Sequence, residues 1–204
     1  MPDLQPPPTS RRERRRLEVH NRIVEAAYVL FQEHGYQAAT VAQICDEADV
    51  AYKTFFNHFP SKLEVLLALE QRALETTIGH FDSALELDAG TRERIAHAFR
   101  AVAEHAVAQG PTHPEFLAEL IHGAHLGGDE ESQVRRIAGA IERLVEAGVT
   151  LGDVREDVPV EVLADTVRGQ FYALTISYAN VQGYPIVERA SELAALVADT
   201  LARR

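Results

Sequence analysis

Residues 48–62 read ADVAYKTFFNHFPSK and gather side chains that can read a nucleic acid. Lys53 and Lys62 are the only two lysines of the chain, and Tyr52, Thr54, Asn57 and His58 stand beside them. A lysine ammonium donates to guanine O6 and N7, and an asparagine amide pairs bidentately with adenine. Lys62 falls in the first turn of a following helix, where free backbone N–H groups and the helix dipole already favour a phosphate. Thr40 stands at the start of an earlier short helix, placed to donate its hydroxyl to phosphate. This is the chemistry of DNA reading. A small amphipathic helix with a merely solvated polar face has the same spacing, so spacing alone leaves both readings open.

Those residues need elements to hold them. From Arg15 onward the pattern is helical, with Ile23, Ala27, Leu30 and Phe31 on one apolar face, and Gly35 stands where a C-cap glycine belongs. Thr40 and Gln43 have capping-box spacing. They open a short helix whose buried face is Val41, Ile44, Cys45 and Ala48. Asp49-Val50 makes a tight connection, and a second short helix spans about 51–58. Val50, Phe55 and Phe59 would anchor it, leaving Tyr52, Lys53, Thr54 and Asn57 outward. Pro60 disfavours helical geometry at Phe59, and Ser61 with Glu64 caps a long helix. Two short helices braced by longer ones predict a helix-turn-helix, whose second helix enters the major groove. Beyond it, helices are predicted over 91–109, 113–126, 131–147 (ending at Gly148), 159–182 and 186–202, with almost no strand signal.

Charge divides along the same line. The net charge of -11 argues against a generic polyanion binder, yet residues 1–62 hold eight basic and eight acidic residues. The excess acid all lies in 63–204. Arg11, Arg12, Arg14, Arg15 and Arg16 form a basic cluster after a Pro-rich start, read as a disordered arm over 1–14. That arm is either a solvated tail or a contact to phosphates. The lone Cys45 excludes an internal disulfide and fits a reducing compartment. The start lacks the apolar core of a signal peptide, and no run approaches a membrane span. A cytoplasmic location is expected, with no cofactor.

The run from 22 to 67 resembles the N-terminal domain of TetR-type transcriptional repressors. It has the Gly-aromatic pair Gly35-Tyr36, the Thr40-Val41 start, the Ile44-Cys45 core and, most specifically, Thr54-Phe55-Phe56-Asn57-His58-Phe59-Pro60-Ser61-Lys62. The resemblance covers about a quarter of the chain closely. It implies an all-α fold: a helix-turn-helix DNA-binding domain (15–62, motif about 40–59), then a helical ligand-binding and dimerisation domain (63–204). It implies Tyr52, Lys53, Thr54 and Asn57 as base readers, and Thr40, His58 and Lys62 as phosphate contacts. Three positions depart from the pattern. Phe56 replaces a tyrosine whose hydroxyl usually binds phosphate, Ala51 a common serine, and Asp49 a common turn glycine. Asp tolerates the left-handed conformation better than most residues.

The resemblance further implies a homodimer through about 159–182 and 186–202, and a small-molecule effector releasing a palindromic operator. The interface candidates are Leu163, Val167, Phe171, Leu174 and Tyr178 on one helix. On the other they are Ala190, Leu193, Leu196, Val197 and Leu201, with small Ala194 and Ala195. Completion of a monomer core is the other role open to these helices. Phe116, Leu120, His122, Phe171, Tyr172 and Tyr178 are candidate effector-lining residues, though aromatics at helical spacing also suit plain core. Glu115, Glu119, His122 and His125 recur at helical spacing, a pattern that suits a metal or simply surface histidines and polar pocket tips; no metal is expected. The sequence lacks GxSxG, Walker A, HExxH and GxGxxG motifs; that absence is weak evidence alone, and it is the helix-turn-helix that leads us to expect a regulator rather than an enzyme. The same fold could also serve an activator or a metal-responsive regulator.

Overall fold

The computed structural model describes residues 10–203 other than 128 and 129, with side chains described outside 122–134. Among the described residues the fold is all-α: α1 (Arg11–His34), α2 (Val41–Glu47), α3 (Tyr52–His58), α4 (Lys62–Leu85), α5 (Thr91–Ala108), α6 (His113–Gly127), α7 (Glu130–Leu151), α8 (Val160–Asn180) and α9 (Ile186–Leu201). The chain forms two compact units that divide between Leu69 and Glu70.

In the first unit, Ile23, Ala27, Leu30 and Phe31 are buried on α1, and Ile44, Cys45 and Ala48 on α2 and its C-cap. The α1 start differs from expectation. The expected arm extended to residue 14, but the helix begins at Arg11, because Ser10 and Glu13 form a reciprocal capping box. The arginine cluster is therefore helical. Residues 1–9 of that expected arm lie outside the described residues.

The second unit has one core, in which α5 packs most extensively on α9, and α8 on α6, α7 and α9. Phe81, Phe99 and Phe171 pack edge-to-face at its centre, with ring centroids 5.4–6.5 Å apart. The α5 N-cap is Gly90, which has no capping side chain. Asp153 acts in its place, accepting from the Thr91 backbone N–H and hydroxyl, each at 2.7 Å. Gly148 does not end α7; the helix runs to Leu151, and Gly152 at φ 79° follows. A Cβ on Gly148 would lie under 3.0 Å from Thr91 Oγ1 and Val154 Cγ2, so this glycine permits close packing.

The interface candidates are also corrected. Leu163, Val167, Phe171, Leu174, Tyr178, Ala190, Ala194, Val197 and Leu201 are buried within the chain's own core, and Leu193 packs against it. The outward face of α8 is instead Val162, Gly169, Ala173, Ile176 and Asn180, spaced three, four or seven residues apart. Ala195 and Leu196 are outward on α9.

Candidate nucleic-acid interface

The turn between α2 and α3 is tight. Ala48 N–H donates to Ile44 O, Asp49 N–H to Asp46 O, and Val50 N–H to Cys45 O. Asp49 adopts φ 49°, the left-handed conformation that the sequence pattern gives to glycine. Ala51, the α3 N-cap, contributes no side-chain hydrogen bond. Phe55 and Phe59 are fully or nearly buried. Burying a phenylalanine contributes about 1.5–3 kcal/mol, so these two fix the orientation of a seven-residue helix too short to persist alone.

That orientation leaves Tyr52, Lys53, Phe56 and Asn57 exposed. Tyr52 is 57% and Phe56 42% exposed, and their rings meet edge-on at 5.0 Å. Phe56 thus turns outward, giving α3 an aromatic pair beside a cation and an amide. Thr54 is half-buried, less exposed than these four.

Two expected phosphate donors are engaged elsewhere. Lys62 Nζ donates to Tyr36 O at 2.6 Å, Ala39 O at 2.8 Å and Gln37 O at 3.4 Å, and stands 4.3 Å from the Tyr36 ring centroid. It ties the start of α4 to the loop between α1 and α2. Thr40 Oγ1 donates to Gln43 Oε1 at 2.8 Å and accepts from Gln43 N–H at 3.3 Å, completing the capping box. Its hydroxyl proton therefore has a partner within its own helix turn.

His58 is half-buried, with its ring 6.1 Å from that of His20, which stacks on Phe59 at 4.5 Å. Burial lowers the pKa of His20, and His58 and Arg16 lower it further. Burial and then Arg16 lower that of His58. His58 accordingly offers a neutral N–H, with Arg16 as the nearby permanent cation. Sequence reasoning missed His20 and Arg16 as neighbours of His58, since α1 lies far from α3 along the chain.

In the second unit, Phe116, Leu120, Phe171 and Tyr178 are buried and Tyr172 is half-buried. Phe171 belongs to the central aromatic cluster, and Tyr178 donates its hydroxyl to Ala106 O at 3.2 Å. The side chains of His122 and His125 lie outside the described residues. Among the described residues no group of three or more His, Cys, Asp or Glu is arranged to hold a metal.

An outward-facing polar and aromatic α3, set on two phenylalanine anchors behind a tight turn, is the reading helix of a helix-turn-helix protein. Residues 23–69 match the family described as bacterial regulatory proteins, tetR family. The chain is 30% identical over 189 residues to the HTH-type transcriptional repressor AcnR of Corynebacterium glutamicum, covering 89% of this chain and 92% of that protein. Over 84 residues it is 33% identical to the HTH-type transcriptional activator FasR of Mycolicibacterium smegmatis, a match spanning 38% of that protein. The crystal structure of the regulator FadR from Bacillus subtilis in complex with stearoyl-CoA superposes with a TM-score of 0.70 at 17% identity. It covers 89% of this chain and 98% of that one. The chain belongs to the TetR family of DNA-binding transcriptional regulators.

Proposed function

We propose that this regulator is a homodimeric repressor, held on a palindromic operator by α3 of each subunit and released by a small-molecule effector. The observation that carries the DNA-reading part is α3 itself: Phe55 and Phe59 buried, Tyr52, Lys53, Phe56 and Asn57 presented. Lys53 and Asn57 supply hydrogen-bond readout of purine edges, and the aromatic pair supplies apolar contact of the kind that thymine methyls offer. His58 and the helical arginines of α1 add backbone contacts.

Dimerisation is supported by the outward face of α8 and α9. Val162, Ile176 and Leu196 are 52%, 50% and 57% exposed on these two helices, and Gly169 has open space around its Cβ position. Two helices from each subunit make a four-helix interface with two-fold symmetry, and a two-fold dimer matches a palindrome. The effector reading is supported by the separate helical unit beyond Leu69. The like-folded FadR structure from Bacillus subtilis is a complex with stearoyl-CoA. Repression is favoured over activation because the relative matched along most of its length is a repressor. The working site is then the cytoplasm, where DNA is met; no helix among the described residues is long and apolar enough to cross a membrane.

Release follows if the effector favours a conformation in which α4 shifts and the two reading helices no longer match their half-sites. Footprinting with a stoichiometry measurement tests the proposal. Two protected half-sites about one helical turn apart, bound by one dimer, are expected. Protection of a single asymmetric site by a monomer would overturn it.

A further inference from the structure

Four histidines of the second unit come from three helices: His80 on α4, His97 and His105 on α5, and His113 at the start of α6. The His80 and His105 rings are 5.5 Å apart. His97 Nε2 is 3.4 Å from Ser83 Oγ, whose hydroxyl is also within hydrogen-bond reach of His80 O. His105 is exposed, whereas His80 and His113 are half-buried. Within that partial burial, His80 Nε2 and His113 Nδ1 are sealed from solvent and have no hydrogen-bond partner in the protein. A buried polar atom left in that state is destabilising unless a partner reaches it. The His113 ring faces Tyr178 and Phe116 at 6.1 and 6.2 Å between centroids, so the polar atom sits in aromatic surroundings.

The chemistry selects among ligand classes. Burial and the His105 charge push the His113 pKa down to about 4, and burial, His105 and His97 lower that of His80. Both rings are therefore neutral at pH 7, each with one N–H donor and one acceptor nitrogen. A carboxylate only accepts, so it answers an imidazole N–H but not an acceptor nitrogen. A cation would find no carboxylate among the groups that shift these two histidines. A hydroxyl both donates and accepts, which suits a neutral imidazole.

We propose that His80 and His113, with His105 at the rim, form the polar end of the effector site and take the hydroxyl of a neutral, otherwise apolar compound. This rests on the reading of the second unit as the effector-binding domain, and it adds the ligand class. The experiment uses the full chain, three probes that share one apolar body, and the histidine Cε1–H signals in solution. The probes are 2-naphthol, 2-naphthoate and naphthalene. The proposal expects 2-naphthol to bind at least tenfold tighter than the other two and to move the His80 and His113 signals. His113→Phe keeps an aromatic ring without nitrogen; it should remove that tenfold preference and leave naphthalene binding unchanged. Equal binding of naphthalene, tighter binding of 2-naphthoate, or no binding of 2-naphthol would each overturn it. So would binding that leaves both signals unmoved, which would mean that ordered water alone satisfies the two nitrogens. Operator binding measured on the same sample separates the two readings: if it persists while 2-naphthol fails, only this inference falls.

Discussion

The Lys62 ammonium donates to the carbonyl of Tyr36 at 2.6 Å and to that of Ala39 at 2.8 Å, over the face of the Tyr36 ring. One of the chain's two lysines thus holds the loop between α1 and α2 against the start of α4. Lys62→Met keeps the aliphatic stem and removes the donors. It should lower the stability of the first unit by about 1–3 kcal/mol, read by denaturant unfolding. The salt slope of operator binding should stay unchanged. Unchanged stability with a slope reduced by about one unit would instead assign Lys62 to a phosphate.

Phe56 stands on the surface, edge-on to Tyr52. Phe56→Tyr adds a hydroxyl where the resembled pattern has one. Operator affinity should rise about three- to tenfold, equally for all operator variants, from one added hydrogen bond to phosphate worth about 1 kcal/mol. The salt slope should not change, because a neutral hydroxyl displaces no counterion. Titration of a labelled operator at several salt concentrations reads both quantities.

The sequence reading and the structure agree at most points that local chemistry decides; the exception is the start of α1, where the Ser10–Glu13 capping box went unread. Helical periodicity located α2, α3, α5 to α9 and the start of α4 to within a few residues, and the Thr40–Gln43 capping box and the buried pair Phe55 and Phe59 were legible from spacing alone. The remaining differences between local reading and structure share a cause. Gly148 reads locally as a stop signal, but its neighbours Thr91 and Val154 come from elsewhere in the chain and require a glycine inside the helix. Lys62 reads locally as a free cation at a helix start, but its partners lie more than twenty residues earlier. The outward face of α8 could not be told from its inward face, because both carry apolar residues. Burial of Leu163, Val167, Phe171 and Leu174 settles which is which.

Gly148→Ala tests the close approach directly. The added methyl must displace Thr91 or Val154, and Thr91 is also held by Asp153. Overpacking of this kind costs about 1–3 kcal/mol, although alanine favours helix over glycine by up to about 1 kcal/mol. A net loss of stability in thermal unfolding is expected; a gain would show that the site has room.

Acid sensitivity follows from the buried imidazoles. The native pKa of His113 is about 4, against a model-peptide value of 6.5. Its folded-state pKa is depressed, so below pH 6.5 the unfolded chain binds the proton first and stability falls as pH drops from 6.5 toward 4. The loss across that window is about 2–3 kcal/mol once the partial exposure of the ring is allowed for. His20, His58 and His80 are shifted in the same direction. His113→Phe should flatten the decline between pH 6.5 and 4 in denaturant unfolding. An unchanged profile would mean that His113 titrates normally in the native protein.

The central claim is that α3 reads an operator with Lys53 facing a base. Selection of bound fragments from total genomic DNA, run with the native chain and with Lys53→Ala, tests it most directly. The native chain should recover one palindromic sequence. The variant should recover it more weakly, with preference relaxed at one base pair repeated symmetrically in both half-sites, where a lost base contact costs about 1–3 kcal/mol. Recovery of fragments without a shared sequence, or an identical sequence preference for the two proteins, would contradict the account.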